Sequence, residues 1–463
     1  MSLKLTFFGA VRTVTGSKFV LHMRKTSVLT EFGMFQGHRK KAFEINSRVP
    51  QAALNADAMV FSHTHIDHSG NIPRLVADGY KGLIYATPAT IDLAKIMLLD
   101  SAEIQERDVE YVNKKHARRG EPLVEPLYTI EEAQTAAKQF LPLHYHERRE
   151  LARGIHMTFY DAGHILGSAQ VLYEIDGRRI LFTGDLGQPD LPVVRDPERV
   201  PDPEIIISES TYGGRVHPPV EEAKECLQKI LQDAYDRKAK IVVPAFSVGR
   251  TQSLVFVMHQ LMDEGRLPQM PIWVDSPLSL EATQVFRKHP ECFDAETREY
   301  LEQDKDPFGF FRLRYVKTVA ESKALNDIKG PCVIIAASGM CEGGRVVHHL
   351  KNIVPDERNL VLITGFQAPG TLGRRIVEGA EVVRLYGEEY PLNCQVQVLN
   401  EYSAHADQND LLEFFRAYNP KKVKQVFLVH GDEDQSKALA EAVWELGYEN
   451  IQIPEVEQTF DIR

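Results

Sequence analysis

"AMVFSHTHIDHSGNIPRL", residues 58–75, joins a short apolar run to a dense group of side chains that bind metal ions. The run AMVF predicts a buried strand, and His63, His65, Asp67 and His68 follow it directly. Imidazoles and carboxylates this close repel their like neighbours when charged, and burial removes their hydration. A divalent metal ion compensates for both effects. The stretch therefore predicts a metal centre at the end of a strand.

The spacing within this motif favours two metal ions over one. We expect a helix to begin near Ser69, so that His63 and His65 point in one direction while Asp67 and His68 point in another. Nitrogen and oxygen ligands without sulfur suit zinc, with manganese as the alternative. A thiolate zinc site and a disulfide framework are both disfavoured, because no C-x-x-C pair occurs among the cysteines Cys226, Cys292, Cys332, Cys341 and Cys394.

Three further predicted strand ends carry the same types of side chain. His164 lies in YDAGHILGS, Asp185 in ILFTGDLG and His430 in FLVHGDED. Taken alone, His164 and Asp185 are ordinary turn residues, and His430 is as often structural as functional. In all three, however, an imidazole or a carboxylate follows a predicted buried strand and lies beside a glycine. This repetition favours a shared metal centre.

The composition limits the class of protein. A chain of 463 residues suggests two or three domains, and 43% hydrophobic with 26% charged residues is typical of a globular protein. The apolar stretches are far shorter than the ~20 residues that span a bilayer, and the beginning of the chain lacks the pattern of a signal peptide. We therefore expect a cytoplasmic protein without a membrane partner. The net charge of -11 disfavours a nucleic acid held by bulk electrostatics alone.

The order of predicted elements indicates an α/β protein with an inserted domain. Short strands dominate the first two hundred residues, with helical patterns near 90–115 and 130–139. From Val220 to about Arg384, continuous apolar strands alternate with helices, which is typical of a parallel sheet covered on both faces. The last stretch again contains strands that end in histidines, as in the first region. We therefore interpret the middle region as an insertion.

The ligand order His63-x-His65-x-Asp67-His68, His164, Asp185 resembles that of the metallo-β-lactamase superfamily. The sequence beyond Asp185 is similar to the β-CASP branch of nucleases in that superfamily, which includes ribonuclease J and the pre-mRNA 3′-end cleavage endonuclease. Matching positions are Glu209 in IIISESTYGG, His405 in EYSAHADQ and His430. The resemblance implies an αββα metallo-β-lactamase sandwich formed by residues 1–208 and 395–463, with a parallel-sheet β-CASP domain inserted as residues 209–394.

The resemblance also implies an activity, that of a zinc-dependent ribonuclease which hydrolyses phosphodiester bonds of single-stranded RNA by a metal-bridged hydroxide. It assigns His63, His65 and His164 to one zinc ion, Asp67, His68 and His430 to the other, and Asp185 to both. Asp67 would also orient the hydroxide, His405 would act as the general acid, and Glu209 would orient His405. Glu31 stands where the family usually has Asp. In the family, the carboxylate of that Asp orients the metal-site groups and does not itself bind the metal.

The sequence signals for contacts to RNA are less specific than the metal-ligand motif. In AASGMCEGGR, the backbone near Ser338 and Gly339 could hold a phosphate, and an ordinary turn is the alternative. Two basic runs could follow an RNA backbone or be solvated faces; they contain Lys114, Lys115, Arg118, Arg119, Arg148 and Arg149.

Other functions compete with a ribonuclease. A DNA nuclease of the same branch is the nearest, and the histidine matched by His430 favours RNA. A small-molecule hydrolase does not need the inserted domain, and a non-catalytic scaffold does not need the complete ligand set. The sequence leaves open whether cleavage is internal or 5′ exonucleolytic, and whether the chain forms a homodimer.

Overall fold

A computed structural model describes residues 3–37, 39–303, 305–365, 367–368, 370–399 and 401–462. The chain forms two compact units. The first unit contains residues 1–189, 196–216 and 405–463, and the second contains 190–195 and 217–404. The chain thus leaves the first unit and later returns to it, as expected for an insertion. The predicted boundaries at 208/209 and 394/395 stay predictions.

The elements before residue 216 follow one another in this order: β1 (Leu3–Gly9), β2 (Lys18–Met23), β3 (Thr26–Thr30), α1 (Arg39–Asn46), α2 (Gln51–Leu54), β4 (Ala58–Val60), α3 (Ile66–Ser69), α4 (Ile72–Ala77), β5 (Leu83–Ala86), α5 (Pro88–Arg119), α6 (Ile130–Ala137), β6 (Phe140–Pro142), β7 (Arg149–Ala152), β8 (Ile155–Asp161), β9 (Ala169–Ile175), β10 (Arg178–Phe182) and β11 (Ile205–Glu209).

The middle region continues with α7 (Val220–Asp236), β12 (Lys240–Pro244), α8 (Arg250–Asp263), β13 (Ile272–Asp275), α9 (Pro277–Lys288), α10 (Ala295–Glu302), β14 (Leu313–Tyr315), α11 (Val319–Ala324), β15 (Cys332–Ala336), α12 (Arg345–Ile353), β16 (Leu360–Ile363), α13 (Leu372–Val377), β17 (Val382–Leu385), β18 (Glu388–Pro391) and β19 (Gln395–Val398). The last elements are α14 (Gln408–Arg416), β20 (Gln425–Val429), α15 (Glu433–Glu445), β21 (Ile451–Gln452) and β22 (Thr459–Ile462).

The first unit is a sandwich of two sheets with helices outside. Within the described residues, its sheets have the orders β22-β1-β2-β3-β4-β5-β6 and β21-β20-β11-β10-β9-β8-β7. Successive side chains of a strand point to opposite faces, and β2 shows the consequence. Phe19 and Leu21 pack into the core between the sheets, whereas Val20 packs with Leu75 of α4 and Leu98 of α5 on the outer face. Helices α14 and α15 cover the other sheet in the same way.

The second unit is built on a parallel sheet. Among its described residues the strand order is β14-β13-β15-β12-β16-β19, and every pair is parallel. The central strand β15, CVIIA, is buried along its whole length. Buried, continuously apolar strands are expected where both faces of a parallel sheet are covered. The predicted parallel sheet is confirmed.

The helix predicted near 90–115 is α5, which has clear start and stop signals. The Thr87 side chain accepts a hydrogen bond from the Thr90 N–H, Pro88 occupies the first turn, and Gly120 ends the helix with a φ of 65°. The helix is 32 residues long but polar. In the part of the chain that the structure describes, no helix combines the length and apolar character needed to cross a membrane.

Candidate metal centre

The HTHIDH motif lies at the carboxyl end of β4, as the sequence predicts, but its helix begins earlier than expected. Helical turn α3 starts at Ile66, not near Ser69, so Asp67 and His68 belong to the turn itself. Backbone hydrogen bonds from Phe32 N–H to His68 C=O and from Met34 N–H to Ile66 C=O hold this turn in place.

Gly33 allows that close backbone approach. A Cβ atom on Gly33 would lie 1.6 Å from the carbonyl oxygen of Asp67, a distance that no side chain tolerates. The segment after β3 can therefore run against α3 only if position 33 has no side chain.

Most of the remaining predicted ligands and catalytic residues come from the other sheet. His164 follows β8, Asp185 follows β10, Glu209 is the last residue of β11, and His430 follows β20. His405 precedes α14, and its backbone forms a bridge with Gly187, two residues after Asp185. The sandwich thus brings together side chains that are far apart in sequence, such as His430 and Asp67, which are separated by 363 residues and lie 3.4 Å apart.

These side chains form three groups. Within each group, the possible donor atoms all lie within 4.8 Å of one another. The groups are His63, His65, His164 and Asp185; Asp67, His68 and His430; and Asp185, Glu209 and His405.

Asp185 connects the first two groups. Its Oδ2 atom lies 3.5 Å from Nε2 of His63 and 3.7 Å from Nε2 of His164. Its Oδ1 atom lies 3.2 Å from Nε2 of His68 and 3.4 Å from Nδ1 of His430. One carboxylate therefore presents a separate oxygen to each group.

The residues present fit a divalent metal. Among the described residues, the two ring nitrogens of His68 and the two carboxylate oxygens of Asp185 are buried and have no hydrogen-bond partner, although Nε2 of His68 lies 3.2 Å from Oδ1 of Asp185. Buried polar atoms are normally satisfied, and these four atoms are of the types that coordinate zinc.

The electrostatics of His63, His65 and Asp185 agree with this interpretation. Burial, opposed in part by the charge of Asp185, lowers the pKa of His63 well below its usual value, and burial lowers that of His65 to about 4. Burial alone would raise the pKa of Asp185, but the charges of His430 and His68 hold it well below its usual value. Neutral imidazoles and an ionised carboxylate are the forms that bind metal ions. His68 differs, because burial would lower its pKa but the charges of Asp185 and Glu31 raise it well above its usual value.

The third group pairs an imidazole with a carboxylate. Nδ1 of His405 lies 3.2 Å from Oε2 of Glu209, and the Leu186 N–H donates to Oε1 of Glu209 at 2.6 Å. Burial would lower the pKa of His405, but the charge and hydrogen bond of Glu209, with the charge of Asp185, raise it to about 9. Unlike Glu209, His405 is only partly buried, with 21% of its side chain exposed.

Comparison with known proteins identifies the family. Three family models match the chain: "Metallo-beta-lactamase superfamily domain" at residues 20–183, "Beta-Casp domain" at 251–376 and "Zn-dependent metallo-hydrolase RNA specificity domain" at 389–454. "Ribonuclease TTHA0252" of Thermus thermophilus is 34% identical over 439 residues, which cover 94% of this chain and 95% of that protein. The chain belongs to the β-CASP branch of the metallo-β-lactamase superfamily.

Other proteins are similar to almost the whole of this chain. "RNase J-like protein" of Methanocaldococcus jannaschii is 31% identical over 450 residues, 95% of each chain. "Transcription termination factor FttA" of Methanosarcina mazei is 32% identical over 455 residues, 95% of this chain and 69% of that one. A crystal structure of a protein of unknown function from Enterococcus faecalis V583 shares the fold, with a TM-score of 0.56, 12% identity and full coverage of both chains.

Membership of the β-CASP branch confirms the predicted family and fold class, an α/β metallo-β-lactamase domain with an inserted β-CASP domain. It also confirms that the protein is a metal-dependent hydrolase.

The departure from the family pattern at Glu31 is accommodated within the fold. Its Oε1 atom accepts a hydrogen bond of 2.9 Å from the Ser62 N–H, and its Oε2 atom lies 3.7 Å from Nδ1 of His68. Glu31 adopts a left-handed backbone, with a φ of 62°. The longer side chain of Glu31 thus still reaches the cluster, where it contacts His68.

Two side chains that sequence reasoning missed support histidines of the cluster. The Ser62 hydroxyl lies 2.9 Å from Nδ1 of His63, and the Thr211 hydroxyl lies 3.1 Å from Nδ1 of His430. Partners of this kind fix the tautomer and orientation of a ligating imidazole. Ser62 directly precedes its histidine, a signal that could have been used. Thr211 is 219 residues from His430, so only the fold brings them together.

The residues predicted to contact RNA are not members of the three donor groups. Ser338 and Gly339 follow β15 in the second unit. Gly339 has little room for a side chain, since an added Cβ would lie 3.2 Å from the Phe246 ring. Arg148 and Arg149 pair with Glu174 and Glu147, so their charges are already partly compensated.

Proposed function

We propose that this protein hydrolyses phosphodiester bonds of single-stranded RNA with two zinc ions. The observation that carries the proposal is the position of Asp185, which presents one oxygen to each of two histidine-rich donor groups. RNA as the substrate is supported by the RNA specificity model that matches residues 389–454 and by relatives named as ribonucleases. Location in the cytoplasm, expected from the sequence, stays a prediction.

The two donor groups would hold one ion each. His63, His65 and His164 would bind the first, Asp67, His68 and His430 the second, and Asp185 would contact both. When bound, such ions lower the pKa of a coordinated water and neutralise charge on phosphate oxygens. Ser62 and Thr211 would keep His63 and His430 in the orientation that the ions require.

His405 would be the general acid. Its Nδ1 faces Glu209 at 3.2 Å, and this contact would leave Nε2 as the ring nitrogen available to substrate. The Glu209 carboxylate, which accepts a hydrogen bond from the Leu186 N–H, would accept the Nδ1–H of His405 and stabilise the doubly protonated ring, whose Nε2–H is the proton to be transferred. That proton would pass to the oxygen that leaves when the phosphodiester bond breaks. Asp67 would orient the attacking water by accepting a hydrogen bond from it.

The proposal is tested with 5′-labelled oligonucleotides. Zinc-loaded protein is incubated separately with single-stranded RNA, the same RNA in a duplex, and single-stranded DNA of the same sequence. We expect single-stranded RNA to be cut much faster than either alternative, and the fragment lengths will distinguish internal from 5′ exonucleolytic cleavage. Faster cleavage of DNA would favour a DNA nuclease of the same branch, and no cleavage of any substrate would favour a scaffold.

A further inference from the structure

A small cavity lies beside the candidate metal centre in the first unit. Its volume is about 20 Å³, and about 10 to 15 Å³ is enough for one water molecule. The polar residues of its lining are Ser17, Glu31, His68, Thr183, Asp185 and His430. The rest of the lining is Gly184 and apolar side chains. The cavity therefore has room for one water molecule beside polar side chains.

Three polar atoms at this cavity lack a hydrogen-bond partner among the residues that the structure describes. They are Oγ of Ser17, Oε2 of Glu31 and Nδ1 of His68, and all three are buried. Each belongs to a residue that lines the cavity. Because buried polar groups normally have a partner, three such atoms around one water-sized space indicate a common partner.

The other polar side chains of the lining have contacts of their own. The Thr183 hydroxyl donates to the Gly184 C=O at 2.7 Å and accepts from the Glu209 N–H at 3.1 Å. The oxygens of Asp185 face the histidines of the two donor groups, and His430 belongs to one of these groups. The three atoms without a partner are thus the ones that a bound molecule would satisfy.

The backbone directs Ser17 and Glu31 toward the cavity. Ser17 directly precedes β2, where a period of two puts it on the same face as Phe19, which packs in the core between the sheets. The hydroxyl of Thr30 lies 2.8 Å from that of Tyr173 in the other sheet, so regular alternation would turn the next residue, Glu31, away from the core. The left-handed φ of 62° at Glu31 breaks this alternation.

The contact between Glu31 and His68 is too long for a direct hydrogen bond. Oε2 of Glu31 lies 3.7 Å from Nδ1 of His68, whereas N–H···O bonds are about 2.7 to 3.2 Å long. Polar atoms at such a separation are commonly bridged by water, which costs little compared with a direct bond. One water about 2.8 Å from each atom fits a separation of this size.

We infer that the cavity binds one water molecule, which accepts hydrogen bonds from the Ser17 hydroxyl and from Nδ1–H of His68 and donates one to Oε2 of Glu31. Buried waters typically make about three such bonds to groups that would otherwise be unsatisfied. The inference rests on the proposed function where it assigns Nε2 of His68 to a zinc ion. Ser17 is then a positioning residue, because through the water it fixes the ring and tautomer of His68.

A crystal structure of the zinc-loaded protein tests the water directly. We expect a density peak in the cavity within about 3.2 Å of the three atoms, without an anomalous signal at the zinc edge. A cavity without density would overturn the inference. A peak with the zinc signal would also overturn it and would make Glu31 a metal ligand. Because the readout is this peak, a water found in a protein that cleaves no RNA would contradict the proposed function alone.

Zinc affinity, measured by competition with a chelator, tests the role of Ser17. Ser17→Ala removes one partner of the water, so we expect the affinity to fall about 10-fold. The control is Ser27→Ala, at a buried serine near the other end of β3, which should keep the wild-type affinity. Circular dichroism will check that both variants are folded. Wild-type affinity in Ser17→Ala would overturn the positioning role.

A double variant separates a shared water from two independent effects. If Ser17 and Glu31 act through the same water, Ser17→Ala combined with Glu31→Gln should lower zinc affinity by clearly less than the product of the two single losses. A combined loss equal to that product would show that the two side chains act independently, which would contradict the shared water.

Discussion

At the scale of single residues, His405 and Glu209 carry the mechanistic part of the proposal. If His405 donates a proton to the leaving oxygen, His405→Ala should keep its metal ions and bind RNA but cleave about 10²- to 10⁴-fold more slowly, the usual contribution of a positioned general acid. Rates of RNA cleavage with elemental analysis will measure both properties. Glu209→Gln should have a smaller effect, because the imidazole stays in place.

His430→Ala provides the matched comparison for His405→Ala. His430 belongs to a donor group with Asp67 and His68, so its removal should lower metal content as well as activity. A His405→Ala protein that cleaves at the wild-type rate, or that loses zinc as readily as His430→Ala, would contradict the assignment of His405.

Glu31 gives a second prediction at this scale. Glu31→Gln keeps an oxygen that can accept from the Ser62 N–H but removes the negative charge behind His68. We expect zinc affinity, measured by competition with a chelator, to fall about 10- to 100-fold while the protein stays folded. The control is Glu44→Gln, at an exposed glutamate. Equal affinities of the two variants would show that Glu31 does not support the ligands.

At the scale of elements, the close contact between the segment after β3 and α3 determines the position of Asp67 and His68. Gly33→Ala would push a methyl group into the Asp67 carbonyl, so we expect a loss of about 3 kcal/mol or more in the free energy of unfolding together with reduced zinc content. Gly365→Ala is the control, because nothing lies within 4 Å of its added Cβ. Equal unfolding midpoints in denaturant would contradict this account.

The same region explains which elements could be predicted from sequence. The strand β4 was predictable from its apolar run, and α5 from its helical periodicity. The start of α3 was predicted too late because His65 precedes the turn without a side-chain cap. Long-range backbone bonds to Phe32 and Met34 fix that turn, and local sequence does not contain this information.

At the scale of the whole molecule, the sequence indicated the insertion because the periodicity changes between the terminal regions and the middle one. Contacts such as that between Thr211 and His430 were not predictable, since they depend on how β11 and β20 pair in parallel. A net charge of -11 also means that RNA must be bound locally, where metal ions supply positive charge.

The zinc content of the purified protein tests the central claim most directly. Wild-type protein and Asp356→Asn, a control at a partly exposed carboxylate paired with Arg358, should each contain about two zinc ions per chain by elemental analysis. Asp185→Asn should lose both together, because one carboxylate faces both donor groups. A wild-type protein that binds no zinc after loading, or an Asp185→Asn protein that keeps both ions, would contradict the two-metal account.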